Sequence, residues 1–309
     1  MTLSVESAER IALLYRAAKR NGSLVSVQEL TRLLPQSTSA AEVEMAITSV
    51  PQLSSIFELK SGYLTKRYSS PEDESVQLEG ESRRTALRNY TQASRLLPYL
   101  HTSGFQVVAV SGSTSYGSAS QSKDIDLFCV APAGRMWLSL AKGLVMARVY
   151  SVLNRDSSGV CLSCVMDEDS ARLAFVSYRH PLFARDALEA KVLTGQNLYS
   201  SLMRSANWIS EYYPVAYEGA VSQAGGETIG SRPSSFAAFL NRLMYILVGR
   251  YILAKSLLLN RKLRSRGKHG DAFSVRHGED RLVYESRRYM ALRNEYEATD
   301  SHHGPTITS

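Results

Sequence analysis

The chain has 309 residues, 44% of them apolar, which is enough to bury two or three cores and excludes a disordered protein. Its 36 Lys and Arg against 29 Asp and Glu leave a formal charge of +7, a balance suited to a polyanionic partner such as a nucleic acid or a nucleotide. Cys129, Cys161 and Cys164 form an odd set without framework spacing, which excludes a secreted disulfide scaffold.

Apolar residues at helical spacing over residues 8–20 (Ile11, Leu13, Leu14, Ala17, Ala18) predict a helix that stops at Asn21 and Gly22. Ser26 caps a second helix over 27–34, closed by Pro35, and a third over 40–50 stops at Pro51. Two short strands, 56–60 and 63–66, meet at the tight turn Ser61-Gly62. Three helices and a two-stranded wing resemble a winged helix-turn-helix, which implies a third helix seated in a DNA major groove. That helix carries Glu42 and Glu44 and no Lys or Arg, so phosphate would repel it. Protein contact or scaffolding is therefore expected of a module over 1–68.

The polar, acidic stretch 69–80 reads as a linker. A helix over 81–100, bearing Arg83, Arg84, Arg88 and Arg95, precedes a β-rich run at 105–111 that leads into Gly112 and Ser113. After a polar loop, a second strand over 124–130 opens with Asp124 and Asp126. Alternate residues of a strand share a face, so the two carboxylates lie side by side while Ile125 turns into the core. Adjacent carboxylates repel unless a cation sits between them, and Mg²⁺ favours such oxygen ligands while keeping positions for water and phosphate. Gly112 lets backbone approach a phosphate, and Ser113 can donate its hydroxyl to one.

A strand, Gly-Ser, a spacer of ten residues and Asp-x-Asp on the next strand resemble the active-site motif of the DNA polymerase beta nucleotidyltransferase superfamily. The resemblance implies an α+β fold: a mixed-sheet core over 81–180, between the N-terminal module and a helical C-terminal domain over 181–298. It implies that Gly112 and Ser113 bind a nucleoside triphosphate, with Tyr116 and Lys123 among the nucleotide-binding residues and Gly117 shaping the site, and that Asp124 and Asp126 hold Mg²⁺ or Mn²⁺. It also implies a third carboxylate on a neighbouring strand. The expected strand there, 159–166, contains none; Ser163 stands where an acid would be, and Asp167, Glu168 and Asp169 read as a turn before a strand at 172–176. The Cys161–Cys164 spacing of a zinc or redox pair has no second pair beside it, and buried strand cysteines are the reading adopted.

A helix is expected over 135–150, and further helices over 184–192 and 198–213, a Gly-rich break over 219–231, a long helix over 233–264 and a last one over 280–296. Residues 299–309 read as a disordered tail. Arg261, Lys262, Arg264, Arg266 and Lys268 form a basic cluster with two readings, a phosphate-tracking patch for nucleic acid or a solvated helix end. Residues 274–281 and 284–289 read either as substrate-binding or as salt-bridged surface. The opening residues lack a basic segment followed by an apolar run, and the stretches 138–149 and 236–259 are interrupted by Lys142, Arg148, Arg242, Arg250 and Lys255. A cytoplasmic protein without membrane spans is expected. Two functions follow: a Mg²⁺-dependent nucleotidyltransferase acting on RNA, a small molecule or a protein, or a nucleic-acid- or protein-binding adaptor that keeps this fold without turnover.

Overall fold

Two capping boxes set the start of the chain. In each, a serine hydroxyl accepts from the third helical N–H while a glutamate reaches back to the serine: Ser26 with Glu29, and Ser39 with Glu42. In the computed structural model, which describes residues 5–20, 24–67, 76–117, 124–154, 159–222, 235–267, 269 and 272–300, the first elements are α1 (Val5–Arg20), β1 (Val25–Ser26), α2 (Val27–Leu33) and α3 (Ala40–Ser49). Pro51 ends α3 and opens a further turn, α4 (Pro51–Ser54). Then come β2 (Phe57–Lys60) and β3 (Tyr63–Lys66), joined through Ser61 and Gly62, both at positive φ. β3 lies between β1 and β2, antiparallel to both.

Residues 68–75 of the expected linker lie outside the described residues, and its last five residues are helical, because α5 runs Val76–His101. The chain continues through β4 (Val107–Val110), the single turn α6 (Gly112–Ser115), β5 (Ile125–Ala131), α7 (Met136–Leu153) and β6 (Val160–Asp167). Next are α8 (Glu168–Ser177), α9 (Pro181–Glu189), β7 (Lys191–Thr194), α10 (Gln196–Ser205), α11 (Ile209–Tyr212) and α12 (Pro214–Val221). The last elements are α13 (Ser235–Ser265), β8 (Phe273–His277), β9 (Arg281–Ser286) and α14 (Arg287–Asp300). Six strands form one mixed sheet in the order β7-β4-β5-β6-β9-β8, in which only β5 and β6 run parallel. The molecule is α+β, as expected.

Several local expectations are corrected. Residues 172–176 are helical within α8, because Asp167 caps that helix by accepting from the Ser170 N–H at 3.0 Å, and Glu168 and Asp169 favour its N-terminal end. The acids read as a turn are a helix start. The helix expected over 184–192 ends at Glu189, and β7 adds to the sheet edge. The helix expected over 280–296 is half strand: β9 pairs with β8 and β6, and α14 begins only at Arg287. The helix expected over 198–213 is broken into α10 and α11. The C-terminal region is therefore not purely helical, since it supplies three of the six strands of the large sheet. Thr299 and Asp300 of the expected tail belong to α14, while 301–309 and most of the Gly-rich break, 223–231, lie outside the described residues.

Two cores cover the two faces of the large sheet. On one, Val108, Val110, Ile125, Leu127, Leu162 and Leu282 pack with Leu96, Trp137, Leu140 and Ile252 from α5, α7 and α13. On the other, Val107, Val130 and Met166 join Phe175, Leu202 and Trp208, and this core runs on without interruption into Ile11, Leu30, Ile47 and Leu64 of the first 67 residues. The Trp208 indole is buried and donates to the Phe175 carbonyl at 2.7 Å.

Candidate active site

The carboxylate pair sits where β4 ends and β5 begins. The two strands are antiparallel, and the Ser111 N–H donates to the Asp126 carbonyl at 2.9 Å, so the turn after β4 lies directly beside Asp126. Gly112 has φ +62°, and a Cβ placed on it would lie 2.9 Å from Asp126 Oδ2. Both the backbone conformation and the close approach call for glycine. Asp124 is held in the same way on its other side: the Ile125 N–H donates to the Gly159 carbonyl at 2.8 Å, and a Cβ on Gly159 would fall 2.0 Å from Asp124 Oδ1. Two glycines thus clear space for two carboxylates, one exposed and one half-buried.

Behind Gly112, α6 is tied down at its core side. The Ser115 hydroxyl donates to the Gly112 carbonyl at 2.8 Å, and Thr114 is buried against Asn89 of α5. Ser113 is half-buried on the same turn. Tyr116 then leaves the turn in another direction. Its hydroxyl hydrogen-bonds to Asp186 of α9, its ring carries the Arg185 guanidinium 4.7 Å from the centroid, and Asp186 accepts from the Tyr289 hydroxyl at 2.8 Å. Burial pushes the Asp186 carboxyl up to about 7. Tyr116 therefore anchors the turn to α9 and α14. Sequence reasoning missed Asp186 and Arg185, because nothing in their spacing ties them to residue 116, while Tyr289 lies in the stretch 284–289 with two readings and here bonds Asp186.

The neighbouring strand sets no third carboxylate beside the pair. In the β5–β6 register Asp126 pairs with Cys161, and the register then slips by one so that Phe128 pairs with Cys164. Cys161, not Ser163, is the residue set beside Asp126; the Ser163 hydroxyl donates to the Leu127 carbonyl at 3.2 Å. Burial above all, then the charges of Asp126 and Asp124, push the Cys161 thiol upward, and Lys255 from α13 partly opposes them. It stays a neutral thiol. Asp167 pairs with Ala131 at the far end of the strand, five residues from Asp126, or roughly 17 Å. There it caps α8 and accepts from the Gly134 N–H at 3.2 Å, while Glu168 takes Arg172. None of the three acids at 167–169 belongs to the site.

Among the described residues no group of three or more His, Cys, Asp or Glu side chains is arranged to hold a metal. The carboxylate pair alone suits a hard divalent cation that completes its shell with water and phosphate oxygens. Gly112, Ser113, Asp124 and Asp126 are brought together; Lys123 and Lys268 lie outside the described residues. Arg261, Lys262, Arg264 and Arg266 are exposed at the C-terminal end of α13, six residues or more beyond Lys255, which is about 9 Å or more along the helix. Lys262 and Arg264 complement the dipole of its last turn.

No protein-family model matches the chain, and no curated protein and no solved structure matches it either.

Proposed function

We propose that this chain is a Mg²⁺-dependent nucleotidyltransferase of the DNA polymerase beta type, transferring a nucleoside monophosphate from a triphosphate to a hydroxyl acceptor. The observation that carries the reading is the packing of Gly112 against Asp126, with Asp124 two residues away, just before the strand begins, and Gly159 making room for it. A glycine turn pressed against paired carboxylates joins a place for phosphate to a place for its counter-cation. Mg²⁺, or Mn²⁺, when bound would neutralise phosphate charge and polarise the reacting oxygens.

The residues of this chain have three tasks. Asp124 and Asp126 hold the cation, and Gly112 and Ser113 receive the triphosphate. Asn89, Asp186 and Arg185 hold the turn in place through Thr114 and Tyr116. The acceptor oxygen bonds to the α-phosphorus, the bond to the bridging oxygen breaks, and pyrophosphate leaves with that electron pair. The acceptor proton passes to water, because Cys161 is already protonated and no carboxylate among the described residues flanks the pair. Alignment and charge stabilisation supply the acceleration. RNA, a small molecule and a protein side chain are all hydroxyl acceptors that this site admits. The winged-helix-like N-terminus acts as scaffold or protein contact, since Glu42 is committed to its capping box and Glu44 is exposed.

One observation favours a second reading, an adaptor of this fold without turnover: the strand beside Asp126 sets Cys161 there, and its one acid, Asp167, at the far end. Incubation of the protein with Mg²⁺ and each labelled nucleoside triphosphate, with total RNA or cell lysate as acceptor, separates the two. Label transferred by the wild type and reduced on the order of 10²-fold or more by Asp124→Ala with Asp126→Ala supports the enzyme. Absence of both transfer and nucleotide binding would overturn it.

A further inference from the structure

We propose that the outward face of α13 is covered by a second copy of this chain, the two helices crossing antiparallel in a homodimer. α13 is a helix of 31 residues, about 46 Å long, with two unlike sides. The inner side is finished. Asn241 accepts from the Leu138 N–H at 3.1 Å, Gly249 lies over the Trp137 ring, Asn260 bonds both backbone groups of Phe273, and Ile252 joins the core.

The outer side carries Phe236, Phe239, Leu243, Ile246, Leu253 and Leu257, alternating three and four residues apart, with Arg250 filling the one polar step. Such spacing draws a seam for a partner helix rather than scattered surface residues. Phe236 is 70%, Phe239 64% and Leu257 71% exposed. Leu247, Tyr251 and Leu258, exposed beside the seam, extend it into a patch at or beyond the ~300–600 Å² of the largest patch on an ordinary monomer. Together with the polar side chains flanking the seam, such a face can supply the roughly 800 Å² per partner of a stable interface.

Charge selects the orientation. A parallel pair would set Arg261, Lys262, Arg264 and Arg266 of both copies side by side. An antiparallel pair sends them to opposite ends, several Debye lengths apart. Crossing at the level of Val248 then sets Phe239 against Leu257, Leu243 against Leu253, and Ile246 against the aliphatic stem of Arg250, whose guanidinium reaches the rim. By length and composition α13 would cross a bilayer, as would α7. A protein partner suits it better: its inner side is packed on α7, and Arg250 in mid-seam would cost about 2.5–3.5 kcal/mol in hydrocarbon.

The test is the mass of the full chain by sedimentation equilibrium. The wild type is expected at twice 34.2 kDa, and Phe239→Glu with Leu257→Glu at 34.2 kDa, with unchanged circular dichroism. A wild type that stays monomeric at every concentration, or a folded variant that stays dimeric, overturns the proposal. So does a monomeric wild type that floats with phosphatidylserine vesicles, which would assign the face to a membrane. Should the charged variant fail to fold, Phe239→Cys with Leu257→Cys under mild oxidation decides: it cross-links copies of the chain if the crossing is antiparallel. Phe239→Cys alone cross-links only if the crossing is parallel, and that result overturns the arrangement.

Discussion

Asp186 shows what a single residue contributes at this site. It joins the turn after β4 to α9 and α14 through two tyrosine hydroxyls, from Tyr116 and Tyr289, and it does so half-buried. Burial raises its carboxyl from the ordinary 3.8 to about 7. A carboxyl raised on folding stabilises the native state below its unfolded value, and that contribution is lost as pH climbs through the folded value. The chain should therefore lose stability from Asp186 as pH rises from about 4 to about 7. His180, whose burial lowers it, acts in the opposite sense, losing stability as pH falls, so the wild-type profile is a mixture. The difference between wild type and Asp186→Asn isolates the effect. The variant's melting temperature should decline less over that range, measured by thermal melts at half-unit pH steps. Parallel profiles would show that Asp186 does not titrate there.

At the scale of elements, what the sequence made legible was whatever its local chemistry dictates. The Ser26 cap, Pro51 and Ser61-Gly62 sit where spacing placed them, and Asp126 falls on β5 with Asp124 one residue before its start. What escaped was decided by partners far along the chain. β9 carries Leu282, Val283 and Tyr284 in a run that suits helix or strand, and it is a strand because β6 and β8 lie on either side of it. Cys161 beside Asp126 is a matter of parallel register with a one-residue slip, which no local pattern announces. β7 is similar: four residues long, it exists because β4 presents an edge and because Gly195 turns the chain sharply into α10. Gly195 has φ +80°, and a Cβ there would lie 1.9 Å from the Gln106 carbonyl oxygen, which is backbone and cannot swing aside. Gly195→Ala should cost more than about 1 kcal/mol and loosen the β7–β4 pairing. Hydrogen exchange at Val192 and Thr194 reads it; protection equal to wild type would show that the turn relaxes freely.

For the molecule as a whole, the first 67 residues are built into the body rather than attached to it. One core contains Ile11, Leu30, Ile47 and Leu64 together with Val107, Val130, Leu202 and Trp208. A second cluster sets Leu13 and Ala17 of α1 against Leu182, Leu292 and Tyr296. Arg32 of α2 pairs with Glu189, two residues before the Lys191 that registers with Val110 at the end of β4. A DNA-reading module joined by a linker would have its own closed core and a small polar contact with its neighbour. Here removal of the module would bare several large side chains, each worth about 1.5–3 kcal/mol of burial, against a net stability of roughly 5–15 kcal/mol for an ordinary domain. The full chain should therefore melt in one calorimetric transition, and a chain lacking residues 1–67 should show no cooperative transition at all. Two separate transitions in the full chain, or a truncated chain that melts cooperatively near the wild-type temperature, would return the N-terminal residues to the status of an independent domain. With that outcome, the case for a scaffold supporting the end of β4 would fall, and a detachable recognition module would replace it.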